Sequence, residues 1–69
     1  MDASKVYKKN DRVKLVSMGN DPDPIPVGTE GVVTHVQYLP SFNETQVGVK
    51  WDNGRSLSVI LPQDQIVKL

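Results

Sequence analysis

Few residues in this sequence have the types and spacing that catalysis or metal binding needs. The chain has one histidine, His35, and no cysteine, which excludes thiolate nucleophiles, disulfides and Cys/His zinc sites. Asp21 and Asp23 have the spacing of the first two ligands of a calcium loop. Ile25 and Pro26 then occupy the next ligand and glycine positions, where that pattern fails. We therefore expect no catalytic residue, no metal and no cofactor, and we interpret His35 as an ordinary strand residue.

The charge balance bears on the class of partner. The 69 residues carry eight basic and eight acidic side chains, so the net charge is zero. Residues 1–14 hold five of the basic side chains and only two acidic ones, whereas residues 15–69 hold three basic and six acidic. A neutral domain is a poor nucleic-acid binder by default, because the phosphate backbone rewards a dense basic face. The basic segment keeps a nucleic-acid alternative open, and its candidate residues are Lys5, Lys8, Lys9, Arg12 and Lys14.

The chain lacks the signals of membrane insertion or export. No apolar run exceeds three residues, far short of a membrane span. The first residues lack the apolar stretch of a signal peptide. The sequence favours a cytoplasmic protein with no membrane contact.

The hydrophobic pattern predicts an all-β domain. No apolar stripe at helical spacing is sustained, and short β-branched runs alternate with Gly, Pro, Asn and Asp. Two irregular segments, 19–27 and 39–44, separate the first three strands, and the prolines of the first exclude both helix and central strand. Ile25 and Val27 are expected to pin that first loop to the core. Strands are predicted at 12–17, 32–38, 45–51, 55–61 and 66–69.

This order of strands and loops indicates a small five-stranded SH3-like barrel. We expect the barrel domain to span residues 11–69, after a basic and partly flexible segment 1–10. A short 3₁₀ turn is predicted near 62–64. In the second strand, Val33 and Val36 have opposite parity, which predicts a bulge or a strong bend.

The segment Trp51-Asp52-Asn53-Gly54 determines the register of a hairpin. A two-residue loop over Asn53-Gly54 would turn the apolar residues of the following strand towards solvent. A three-residue loop at 52–54 places all the large apolar residues on one face. Gly54 supplies the left-handed residue that this G1-bulge hairpin requires. We expect Trp51 to cover the end of the barrel, with Arg55 opposite it and able to stack on its ring.

The motifs of this chain extend beyond the hairpin turn and include Asp11, Val13, Leu15, Met18, Asp21, Pro22, Gly28, Thr29, Gly31, Val33, Val49, Trp51, Asp52, Asn53, Gly54 and Leu57. Taken together, these motifs resemble a small bacterial family catalogued as domain of unknown function 4314. That family is common in phage, plasmid and other mobile-element contexts, which the resemblance implies for this chain. The loop at 39–46 is longer than the family pattern, and 61–65 replaces a more glycine-rich ending. The hairpin turn is also similar to that of MIB/HERC2 domains, and the Gly28–Val33 step is similar to the opening of KOW-type barrels.

A binding face is predicted in the groove between the loops 19–27 and 39–44. In an SH3-like barrel these loops lie close together, and the hairpin turn lies at the opposite end. Aromatic residues on loops are typical interface anchors, although Phe42 folding back over the barrel is an equal alternative. The candidate partner-binding residues are Asp21, Asp23, Tyr38, Phe42 and Pro62.

The sequence thus favours a non-catalytic binding or adaptor module, with a protein partner that it does not name. The alternative is a nucleic-acid-associated barrel of the KOW or Tudor kind that uses the basic N-terminal residues. We expect a monomer or a weak homo-oligomer formed through an exposed strand edge.

Overall fold

Five antiparallel strands form one sheet in the order β4-β3-β2-β1-β5. A computed structural model describes residues 6–19, 22–61 and 63–69. Within those ranges no strand ladder joins β4 to β5, so the sheet is an open version of the predicted barrel. The predicted all-β class and the five strands are confirmed. The elements are β1 Arg12–Ser17, β2 Glu30–Leu39, a 3₁₀ turn Pro40–Phe42, β3 Glu44–Trp51, β4 Val59–Leu61 and β5 Gln65–Lys68.

The core lies on one face of the curved sheet. In β1, Val13 and Leu15 are buried, while Arg12, Lys14 and Val16 are exposed, as the period of a strand requires. Each fully buried aliphatic side chain contributes roughly 1.5–3 kcal/mol. The buried hydrophobic residues are Val13, Leu15, Ile25, Val33, Val47, Val49, Trp51, Val59 and Ile66.

The bulge predicted in β2 is confirmed. Val33 lies opposite Val49, but the next pair is His35 with Gly48, so Thr34 is the extra residue. After this shift Val36 lies opposite Val47 and returns to the core side. The bulge therefore reconciles the opposite parity of Val33 and Val36 and helps the strand to curve.

The predicted hairpin register is also confirmed. The N–H of Gly54 donates to the Trp51 carbonyl at 3.0 Å, and the Trp51 N–H donates to the Arg55 carbonyl at 2.8 Å. Gly54 has φ +91°, the left-handed conformation of a three-residue G1-bulge loop. Val47 lies opposite Val59, and both are buried.

The predicted strand 55–61 is shorter in the structure, and Trp51 explains why. The buried indole donates its Nε1–H to the carbonyl of Leu57 at 3.0 Å. That carbonyl would otherwise continue the ladder to β3. An isolated bridge between Lys50 and Ser56 remains, and regular pairing resumes only at Val59.

Asp64 covers the outer edge of β4. Its Oδ2 accepts the N–H of Ile60 at 2.8 Å, and its own N–H donates to the Ile60 carbonyl at 2.8 Å. Its Oδ1 accepts the N–H of Gly19 at 2.5 Å. One buried carboxylate therefore satisfies the strand edge and ties it to the segment that follows β1, where the sheet itself stays open.

The N-terminal segment lies against the other edge strand. Tyr7 is half-buried and donates its hydroxyl to the Ile66 carbonyl at 3.1 Å. The N–H of Asn10 donates to the Val33 carbonyl at 2.7 Å. Residues 7–10 are therefore tied to the sheet, and 1–5 lie outside the described residues.

The loop after β1 and the 3₁₀ turn correct two expectations. Ile25 is 1% exposed and pins the loop, but Val27 is 70% exposed and does not. The 3₁₀ turn spans Pro40–Phe42, where Pro40 presets the backbone angle of the first position. In the segment predicted to hold it, Gln63 and Asp64 form a turn and a bend, and Pro62 lies outside the described residues.

Candidate binding site

Phe42 is held out from the domain on a fixed turn. The N–H of Asn43 donates to the Pro40 carbonyl at 3.2 Å, and Asn43 adopts the left-handed φ of 52°. The hydroxyl of Tyr38 donates to Asn43 Oδ1 at 3.4 Å. The Phe42 side chain is left 71% exposed, so it does not fold back over the barrel.

Partly buried apolar residues surround this turn. Thr45 is buried and lies between Tyr38 on β2 and Leu61 on β4 in the register of the sheet. Leu39 immediately precedes the turn and is half-buried. Tyr38 and Leu61 therefore share a face with Thr45, and Leu39 lies on the opposite face of β2. We call this end of the sheet the Phe42 surface, and it comprises Tyr38, Leu39, Phe42 and Leu61.

The rim of the Phe42 surface is acidic to neutral. Glu44 follows the turn, and its Oε2 accepts Nε2–H of Gln63 at 3.0 Å. No lysine or arginine occurs between residues 15 and 49 or between 56 and 67. The segments that build this end of the sheet therefore carry no side chain suited to a phosphate backbone.

The structure does not bring Asp23 to the Phe42 surface. The Asp23 carbonyl accepts Nη1–H of Arg55 at 2.9 Å, and its carboxylate lies 3.5 Å from Arg55 Nη2. Arg55 directly follows the hairpin turn, at the opposite end of β3 from Phe42. Seven residue steps along β3 correspond to roughly 23 Å. The loop 19–27 thus reaches the hairpin that was expected to lie away from it.

The predicted groove residues therefore lie at two different ends of the sheet. Tyr38 and Phe42 are at the same end. The segments around Gly19 and Gln63 meet there too, since a methyl group added at Gly19 would lie 3.9 Å from the Gln63 side chain. Asp23 is at the hairpin end. Asp21 and Pro62 lie outside the described residues.

Arg12, one of the basic candidates, is engaged within the domain. Its guanidinium donates to both Asp52 carboxylate oxygens, at 3.0 and 2.8 Å, and to Glu30 Oε1 at 3.1 Å. These hydrogen bonds, from Asp52 first, raise the pKa of Arg12 far above its ordinary value. In return, the hydrogen bond from Arg12 lowers the pKa of Asp52. Arg12 therefore joins β1 to the hairpin turn.

The other described basic candidates are exposed, and Lys14 projects from the same face of β1 as Arg12. Lys14 lies between Glu30 and Val67 in the register of the sheet. Lys8 and Lys9 are exposed in the turn before β1. The backbone N–H of Lys8 donates to Asp11 Oδ2 at 2.8 Å and lowers the pKa of that carboxyl. Lys5 lies outside the described residues.

Sequence reasoning missed a polar depression beside the β2 bulge. It has a volume of about 130 Å³ and is bordered by Thr34, His35, Ser56 and Ser58. The signals that could have found it are the bulge itself and Gly48, a glycine in the middle of β3. Within residues 6–19, 22–61 and 63–69, no group of three or more His, Cys, Asp or Glu side chains is arranged to hold a metal ion.

The described part of the chain contains no helix long and apolar enough to cross a membrane. The open five-stranded antiparallel sheet, with its core on one face, defines a small all-β domain. The family described as Domain of unknown function (DUF4314) matches residues 3–69, and the chain belongs to that family. Comparison with curated proteins and with solved structures gave no match.

Proposed function

We propose that this chain is a non-catalytic module that binds a protein partner through the Phe42 surface. The single observation that carries the proposal is the 71% exposure of Phe42 on a turn fixed by Asn43. Burial of an exposed phenylalanine against a partner has a favourable free energy. Because the turn is already fixed, less conformational entropy is lost on binding. Aromatic anchors of this kind dominate the binding energy of many interfaces.

The charges near this surface support a protein partner over a nucleic acid. Glu44 is the only charged side chain between residues 36 and 49, and it lies at the rim. A phosphate backbone would meet a carboxylate and no cation there. The partner we expect has an apolar patch for Phe42 and a neutral or basic rim for Glu44.

The alternative from the sequence, a nucleic-acid-associated barrel, depends on the exposed lysines before and within β1. Arg12 adds little to it, because two carboxylates already hold its guanidinium. Titration with duplex DNA, single-stranded DNA and RNA at two salt concentrations tests this alternative directly. Salt-sensitive shifts at Lys8, Lys9 and Lys14 would favour it over the protein partner.

The test of the protein proposal uses Phe42→Ala and a matched control, Val27→Ala. Val27 is equally exposed, at 70%, and lies on the other loop. Partners captured from the native cell by the unmodified chain are purified, and their dissociation constants are measured with all three proteins. We expect Phe42→Ala to weaken binding about tenfold or more, and Val27→Ala to leave it unchanged. A partner that binds Phe42→Ala as tightly as the unmodified chain would overturn the proposal.

A further inference from the structure

The polar depression beside the β2 bulge has the composition of a ligand site. Hydroxyl groups of Thr34, Ser56 and Ser58 and the imidazole of His35 border it, and Gly48, Val49 and Leu57 complete its lining. Its volume of about 130 Å³ corresponds to about four water molecules in the liquid. A compact polar group fits a space of that size.

Two interruptions of the sheet open this depression. The bulge at Thr34 shifts the pairing of β2 with β3 immediately beside His35 and Gly48. On the other side of β3, the Trp51 indole holds the Leu57 carbonyl and the strand is interrupted at Leu57 and Ser58, although the Leu57 N–H still donates to the Val49 carbonyl at 3.1 Å. Bulges and strand glycines recur where a strand makes room for a ligand.

Gly48 keeps the depression in its present shape. A methyl group added at Gly48 would collide with the imidazole of His35, which lies across the glycine. A glycine inside a strand costs roughly 0.5–1 kcal/mol relative to alanine. Glycine at this position lets the His35 ring lie flat at the wall of the depression.

The serine hydroxyls around the depression can donate hydrogen bonds to a ligand, whereas Thr34 Oγ1 already lies 3.2 Å from Nδ1 of His35. Among the described residues, Ser56 and Ser58 have no hydrogen-bond partner for their backbone or hydroxyl groups. Lys50 lies directly opposite Ser56, so the two side chains share a face. Its ammonium forms no ion pair within the described ranges. No acidic residue lines the depression.

We propose that this depression binds a compact oxyanion, namely a phosphate group. Its oxygens accept hydrogen bonds from the serine hydroxyls, and the Lys50 ammonium supplies the opposite charge. This site is separate from the Phe42 surface, and neither proposal depends on the other. The competing explanation is structural: the His35 ring shields Gly48 from solvent, as aromatic rings do across strands.

The test is a titration of the full chain, monitored through the NMR signals of its backbone amides and of the His35 imidazole. Inorganic phosphate, acetate and chloride are added separately at constant ionic strength. We expect saturable shifts at Thr34, His35, Ser56 and Ser58, with phosphate binding tighter than acetate and chloride producing none. A phosphoserine peptide in a further arm shows whether the group is bound free or on a chain. Shifts that rise linearly with phosphate, or that chloride reproduces, would overturn the proposal.

Two substitutions at the site and one control substitution separate binding from structure. Lys50→Gln should weaken phosphate binding about tenfold, whereas Lys14→Gln, at an exposed lysine of β1, should not change it. Ser58→Ala, which keeps the backbone, should weaken binding severalfold and leave the unfolding midpoint unchanged. Equal weakening by Lys14→Gln, or unchanged binding by Lys50→Gln, would support the structural explanation of Gly48 and His35.

Discussion

Arg12 holds both carboxylate oxygens of Asp52, which lies 40 residues further along the chain. The bidentate pair fastens the hairpin turn to β1, and the N–H of Asp52 also donates to the Glu30 carbonyl at 2.9 Å. All four residues of the most recognisable tetrapeptide of the sequence, residues 51–54, thus contribute to the fold, and Asn53 Oδ1 accepts the N–H of Arg55 at 3.0 Å within the turn. Trp51 supplies core, Asp52 supplies the ion pair and Gly54 supplies the turn.

The Arg12–Asp52 pair predicts a loss of stability in acid. Because the hydrogen bond from Arg12 lowers the pKa of Asp52 in the folded state, the unfolded chain binds the proton first as pH falls. The contribution is therefore fully present above about pH 3.9, the ordinary value for aspartate, and is lost as pH falls through the lower folded pKa. Urea unfolding at a series of pH values measures it.

Arg12→Gln is the matched variant for this prediction. In Arg12→Gln, the free energy of unfolding should fall less steeply as the pH is lowered below about 3.9. In Lys14→Gln, that dependence on pH should be unchanged. The pKa of Asp11 is also lowered, chiefly by the Lys8 backbone N–H. Asp11 therefore contributes to the loss of stability in acid, and both variants should retain that contribution. An acid limb unchanged by Arg12→Gln would show that the pair does not persist in solution.

Asp64→Ala should be among the most damaging substitutions at a polar residue. It removes the acceptors of the Ile60 and Gly19 N–H groups, and we expect it to cost roughly 3 kcal/mol of unfolding free energy. Asp64→Asn keeps one acceptor oxygen and should cost about half as much. Hydrogen exchange should accelerate at Ile60 and Gly19 above all. Unchanged exchange at both amides would refute the edge-capping role.

Residue parity was sufficient to predict the local parts of this fold. The opposite parity of Val33 and Val36 predicted the bulge, and the apolar positions on both sides of the turn determined the three-residue loop. Both depend on the period of a strand, which is short-range and visible in the sequence. Phe42 was a candidate because aromatic residues on loops are typical interface anchors, and parity did not decide whether it folds back over the sheet.

The long-range side-chain contacts could not be read in the same way. Asp64 capping β4, Asp23 joining Arg55 and the Trp51 indole taking the Leu57 carbonyl each depend on which of several acceptors is within reach after folding. The depression at Gly48 lies beside the last of these contacts. The position of the 3₁₀ turn had a local signal in Pro40, which favours the first position of such a turn.

Gly54 predicts a difference between the two mirror forms of alanine. At φ +91° an L-residue is strained, and Gly54→Ala should lower the unfolding free energy by roughly 1–2 kcal/mol. A Cβ there would meet nothing within 4 Å, so the cost is conformational and not steric. D-alanine at position 54, introduced by chemical synthesis, should therefore be neutral or stabilising. An equal loss with both forms would indicate a steric cause instead.

Trp51 provides the sharpest test of how the sheet is interrupted. Trp51→Phe keeps an aromatic ring in the core but removes the Nε1–H that holds the Leu57 carbonyl. We expect that carbonyl to turn to β3, so that β4 extends back across Leu57 and Ser58, as the alternation of the sequence favours. The smaller ring should also cost roughly 1–3 kcal/mol, since part of the buried space is left unfilled.

Backbone chemical shifts and hydrogen exchange at residues 56–58 would measure the extension of β4. The same variant should narrow the depression beside Gly48 and weaken phosphate binding, although none of the proposed ligand-binding residues is altered. Leu57→Ala is the control for lost packing, because it removes side-chain contacts and keeps the indole–carbonyl hydrogen bond. If Trp51→Phe leaves residues 57 and 58 without strand character, the interruption has a cause other than the indole N–H.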